Sequence, residues 1–123
     1  MVRVMVIAPS PTTRKILEVA LQRERYQVNS FASASVALQD LSNTLPSLPD
    51  VFVIDFSTPE TGKLIKDLRA ELLIRQIPII AITDPGFFER MKARQAGVAG
   101  YLEKPLKEKE IVAFVQKVLL RWG

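Results

Sequence analysis

Five short apolar runs, Val2 to Ala8, Tyr26 to Phe31, Val51 to Asp55, Ile77 to Thr83 and Gly100 to Leu102, are spaced through a chain of 123 residues. Their character constrains the fold more than any other feature. The first, third and fourth are rich in Val and Ile and do not alternate cleanly between apolar and polar. A strand with one wet face alternates with a period of two, whereas a strand covered on both faces is a continuous apolar run. These three are therefore expected in a sheet buried between two layers. The second and fifth runs are the weaker strand candidates.

Between the runs lie segments with helical spacing. Ile16, Leu17, Ala20 and Leu21 share one helix face, as do Val36, Ala37 and Leu41, then Leu64, Ile65, Leu68 and Leu72. A last stripe holds Ile111, Phe114, Val115, Val118, Leu119 and Trp122. Such stripes are core packing. Ser10-Pro11 and Asp84-Pro85 each place a capping side chain before a proline suited to a first helical turn, and Gly97 is a helix stop after Glu89 to Ala96. Five strands alternating with five helices predict a parallel α/β sheet with helices on both faces, joined by right-handed crossovers. Asn43 to Pro49 is a polar, proline-bearing connection, and no linker or repeat interrupts the pattern, so residues 1–123 are expected to form a single domain.

Composition then narrows the chemistry. The chain has no cysteine and no histidine, which excludes disulfides, thiolate zinc sites and histidine acid–base catalysis. Carboxylates, hydroxyls and lysine remain. The apolar runs are far shorter than the roughly 18–20 residues that span a bilayer. Met1 to Ile7, followed by Pro9 and Pro11, is too short for a secretory signal, so a cytoplasmic protein with no membrane partner is expected. The net charge is +4. The basic residues are nevertheless dispersed and interleaved with acids, as in Lys107 to Glu110, so nucleic acid is not an expected partner.

In parallel sheets of this kind ligands gather outside the carboxyl ends of the strands. The residues there are Ala8-Pro9-Ser10, Asp55-Phe56-Ser57, Thr83-Asp84 and Glu103-Lys104-Pro105. One carboxylate, one hydroxyl and one lysine thus close three different strands and can converge on a small anion. Singly, each has an ordinary reading: Asp55 as a turn residue, Thr83 as a strand-end hydroxyl, Lys104 as a solvated charge.

In "VMVIAPSPTTRKILEVAL", "PDVFVIDFSTPETG", "IPIIAIT" and "AGYLEKPL" the chain resembles the receiver domains of response regulators, typified by the chemotaxis protein CheY, over nearly its whole length. The resemblance implies the flavodoxin-like strand order 2-1-3-4-5 and a non-enzymatic role in two-component phosphorelay signalling. Its partners would be a histidine kinase or a downstream signalling protein. By the same resemblance Asp55 is the phospho-acceptor, Thr83 the hydroxyl that hydrogen-bonds the phosphoryl group, and Lys104 the cation that pairs with it. Tyr101 is the switch aromatic, and Pro105 follows a cis peptide bond. Elementary chemistry agrees with the first three roles, because phosphoryl transfer is mostly positioning and neutralisation of charge on the non-bridging oxygens.

The departures are informative. Where the family carries two acidic residues that hold magnesium, this chain has Ala8 and Pro9. Magnesium demands near-octahedral oxygen coordination, and Asp55, the Ser57 carbonyl and water are poor substitutes, so its binding is expected to be weak or absent and no other cofactor is expected. Gly62 arrives one residue early after Asp55, and Asp84 stands where the family has a small residue. That carboxylate is expected to repel a phosphoryl dianion, rather than substitute for a lost metal ligand, because capping the next helix fully explains it. These features predict an atypical or pseudo-receiver that works by protein–protein contact. The resemblance places its contact or homodimer face on the fourth helix, fifth strand and fifth helix, where Phe87, Phe88, Arg90, Met91, Arg94, Tyr101, Lys107 and Lys109 lie. Adjacent Phe87 and Phe88 cannot both point inward from one helix. The alternatives are a conventional phospho-accepting receiver using Asp55, or the regulatory module of a longer regulator continuing past Gly123. A nucleotide- or flavin-binding protein on the same sheet lacks its phosphate loop, since no glycine-rich turn follows the first strand.

Overall fold

The computed structural model describes residues 1–43, 48–56, 61–70, 74, 76–86 and 97–122. Its elements in chain order are Arg3–Ile7 (β1), Pro11–Gln22 (α1), Gln27–Phe31 (β2), Ala34–Asn43 (α2), Val51–Asp55 (β3), Thr61–Ala70 (α3), Ile79–Thr83 (β4), Gly100–Glu103 (β5) and Glu108–Trp122 (α4). The strands form one five-stranded sheet of order β2-β1-β3-β4-β5, and every neighbouring pair is parallel. This is the expected order. The fourth helical segment expected from the sequence, Glu89 to Ala96 with Phe87 and Phe88 before it, lies outside the described residues, as does Leu72.

Two apolar layers flank the sheet, and the period-two geometry of a strand assigns each residue to one of them. On one side Val4, Val6, Val53, Ile80 and Ile82 meet Leu17, Ala20 and Leu21 of α1 and Ile111, Val115 and Val118 of α4. On the other Met5, Ile7, Phe52, Ile54 and Ile79 meet Ala37 and Leu41 of α2 and Leu64, Ile65 and Leu68 of α3. Every residue of the central strands β3 and β4 is buried, whereas β2 at the edge is half-exposed. That edge position explains its weaker apolar signal.

Two residues of the expected stripes leave the core. Ile16 and Val36 are 38% and 50% exposed. In α1 the buried face instead runs through Thr13, Leu17, Ala20 and Leu21. This i, i+4, i+7, i+8 stripe is complete without Ile16, which lies about a quarter-turn away.

A local signal defines the start of α1 as expected. Ser10 caps α1, its hydroxyl accepting from the Thr13 amide at 3.2 Å, with Pro11 in the first turn. Gly97 adopts φ 72° before β5, a left-handed conformation that costs a residue without a Cβ little. Gly100 serves a different need. The Phe114 ring of α4 lies so close over its Cα that an added Cβ would collide with the ring.

Candidate functional site

Strand register builds the site. Ile7 pairs with Ile54, so the chain leaves β1 at Ala8 beside Asp55 at the end of β3. Asp55 in turn pairs with Ile82 of β4, and Thr83 pairs with Glu103 of β5. The Lys104 amide donates to the Thr83 carbonyl at 2.8 Å, extending the ladder one residue and placing the lysine over the same edge. The Lys104–Pro105 peptide is cis, as the resemblance implies.

Two of the three chemically active groups, Asp55 and Lys104, are in contact there. The Asp55 side chain is 1% exposed, and Lys104 Nζ donates to its Oδ2 at 3.1 Å. Burial alone would lower the Lys104 pKa. The hydrogen bond and charge of Asp55, followed by the charge of Asp84, outweigh it and hold the ammonium above the ordinary lysine value. The Thr83 hydroxyl is fully buried and, among the described residues, has no hydrogen-bond partner. An unsatisfied buried hydroxyl costs about 1–3 kcal/mol, so Thr83 has donor capacity for a ligand oxygen or a water.

Two features were not distinguishable in the sequence. Asp84, expected only to repel anions and cap a helix, places Oδ1 3.6 Å from Lys104 Nζ. Its neighbours beyond Gly86 lie outside the described residues. Arg14 of α1 donates from Nη1 to the carbonyls of Ala8 and Pro9 at 2.6 and 3.0 Å. Its place one turn beyond the Ser10 cap is the only sequence signal that could have suggested this reach.

Tyr101, the expected switch residue, is half-buried in β5, in register with Ala81, and packs against the α2/α3 layer. Lys107 is exposed just before α4. Phe87, Phe88, Arg90, Met91, Arg94 and Ser57 lie outside the described residues.

The family-implied magnesium can be tested against these donors. Ala8 is buried and Pro9 exposed. Neither carries a carboxylate, and both of their carbonyls already accept from a guanidinium. One oxygen of Asp55 faces an ammonium. Among the described residues no group of three or more acidic or other metal-ligating side chains is assembled. This donor set does not fit a hard divalent cation that needs six oxygens.

A parallel sheet in this order thus carries a buried carboxylate at the end of β3 paired, across β4, with a lysine just past the end of β5. The chain belongs to the response regulator receiver domain family, whose model matches residues 4–116. Among curated relatives it is 33% identical over 120 residues to the two-component response regulator ARR11 of Arabidopsis thaliana, covering 95% of this chain and 22% of that protein. It is 26% identical over 122 residues to the phosphate regulon transcriptional regulatory protein PhoB of Escherichia coli, covering 97% of this chain and 52% of that one. The chain therefore spans from about a fifth to about half of the length of these relatives. Among solved structures, a putative response regulator from Chloroflexus aurantiacus superposes with a TM-score of 0.88 at 29% identity, covering 97% of this chain and 98% of that one. The chemotaxis response regulator CheY4 of Vibrio cholerae shares the fold with a TM-score of 0.84 at 21% identity, covering 96% and 98%. Among the described residues no helix is long and apolar enough to cross a membrane.

Proposed function

We propose that this receiver domain acts chiefly by protein–protein contact, with magnesium-dependent phosphorylation of Asp55 weak or absent. One observation supports this above the others: the turn that leaves β1 beside Asp55 offers Ala8, Pro9 and an arginine-bound pair of carbonyls instead of carboxylates. Without those negative charges a divalent ion gains too little to shed its waters. In the absence of that ion, an incoming phosphoryl group meets the Asp55 carboxylate with Lys104 as the cation in contact with it among the described residues. No turnover of a substrate is assigned to the domain. Its partners are a histidine kinase or a downstream signalling protein in the cytoplasm. Tyr101 and Lys107 contribute to the contact or homodimer surface, and the domain serves as the regulatory module of a larger regulator, as its longer relatives suggest.

A second reading is favoured by the Thr83 hydroxyl. Buried, without a partner among the described residues, and in backbone contact with Lys104, it is suited to donate to a phosphoryl oxygen on Asp55. In a conventional receiver the Asp55 carboxylate attacks phosphorus as the donor's P–N or P–O bond breaks, and Lys104 and Thr83 stabilise the new acyl phosphate. Incubation with acetyl phosphate and magnesium, read by intact mass and by amide shifts at Asp55, separates the readings. We expect no Asp55-dependent change at low-millimolar magnesium. Stoichiometric modification that disappears in Asp55→Asn would overturn the first reading in favour of the second.

A further inference from the structure

We propose that Asp84 is a specificity-determining residue of the acceptor site, an internal anion that holds part of the Lys104 charge and keeps tetrahedral dianions away from Asp55. The proposal deepens the functional reading and rests on it, since it names a second charge that keeps phosphoryl groups from the Asp55 pocket.

The geometry is a column of alternating charge. At its floor the Asp55 side chain is 1% exposed, in the middle Lys104 is 28% exposed, and at the mouth Asp84 is 55% exposed. Nζ lies 3.1 Å from the inner carboxylate and 3.6 Å from the outer one. The column thus has two negative groups around one positive group. The ammonium that an arriving oxyanion would need is already shared. An anion that pairs with Lys104 Nζ therefore comes close to the outer carboxylate, 3.6 Å from that atom. At such separations like charges repel appreciably even near a protein surface. The Asp84 side chain is wet, so its effect must weaken as salt screens it.

A purely structural role for Asp84, as cap of the segment that follows, is separable by choice of substitution. Asparagine caps a helix about as well as aspartate but carries no charge. Asp84→Asn therefore removes the charge alone, and Asp84→Glu keeps it. The probe is inorganic phosphate, titrated in chelator with no divalent ion and followed by the amide shifts of Thr83 and Lys104. At low ionic strength Asp84→Asn is expected to bind phosphate about tenfold more tightly than the wild type. The gain should shrink to about two- to threefold near 0.5 M salt, and Asp84→Glu should match the wild type. Equal affinity of Asp84→Asn and wild type at low salt would overturn the proposal. So would a gain as large in Asp84→Glu, or undetectable binding by Asp84→Asn. Failure of the functional reading has a different signature: ready magnesium-dependent modification of wild-type Asp55 by acetyl phosphate, which leaves the metal-free ratio between variants to decide Asp84.

Discussion

Asp55 is the residue whose surroundings must be kept in balance. Its carboxylate is buried, and Lys104 supplies a charge-assisted hydrogen bond at 3.1 Å. Replacing Lys104 by methionine leaves that oxygen without its cationic partner, which is expected to cost about 1–3 kcal/mol in urea denaturation at neutral pH. The pH dependence has a definite sign. Because the folded-state pKa of Lys104 is raised above its ordinary 10.5, the stabilisation it supplies is complete below the unfolded value and lost as pH rises through the folded one. Wild type should therefore lose its advantage over Lys104→Met only in strongly alkaline solution, and a constant difference between about pH 9 and pH 12 would contradict this account. Ser10 offers an independent check. Its hydroxyl satisfies the Thr13 amide at the start of α1, and Ser10→Ala is expected to lower stability by about 1 kcal/mol. At this scale the sequence made the Asp55–Lys104 pair legible, because strand ends in a parallel sheet converge. It did not reveal that Asp84 leans onto Lys104 or that Arg14 reaches back to Ala8 and Pro9, since long polar side chains choose partners that no periodicity encodes.

At the scale of elements, burial on both faces was the legible signal. Val51–Asp55 is a strand with the bounds its apolar run suggests, and the first and fourth runs were only slightly longer than β1 and β4. Errors arose where one face is wet. In α1 the core stripe selects Thr13 over Ile16, and in α2 it excludes Val36. A single residue type at helical spacing cannot reveal such a rotation of about a quarter-turn. The contact of Phe114 with Gly100 was equally hidden, since only the docked α4 shows why β5 must begin with a residue lacking Cβ. Gly100→Ala is expected to destabilise the domain by about 1–3 kcal/mol through overpacking. Adding Phe114→Leu should recover part of the loss, so a fully additive double variant in thermal or urea melts would count against the collision.

For the whole molecule, the two apolar layers share one sheet, so neither can form without it. A single cooperative transition, coincident by far-ultraviolet circular dichroism and methyl NMR, is the expected unfolding behaviour. The same sheet carries the electrostatic claim at its carboxyl edge, where β1 delivers an apolar turn and an arginine instead of acids. Magnesium titration followed by backbone amide shifts, on the wild type and on Ala8→Asp/Pro9→Asp, tests that claim most directly. The account predicts no saturable shift around Asp55 in the wild type at low-millimolar magnesium and a saturable one in the double variant. Saturable low-millimolar binding by the wild type, at the Asp55 and Thr83 amides, would contradict it.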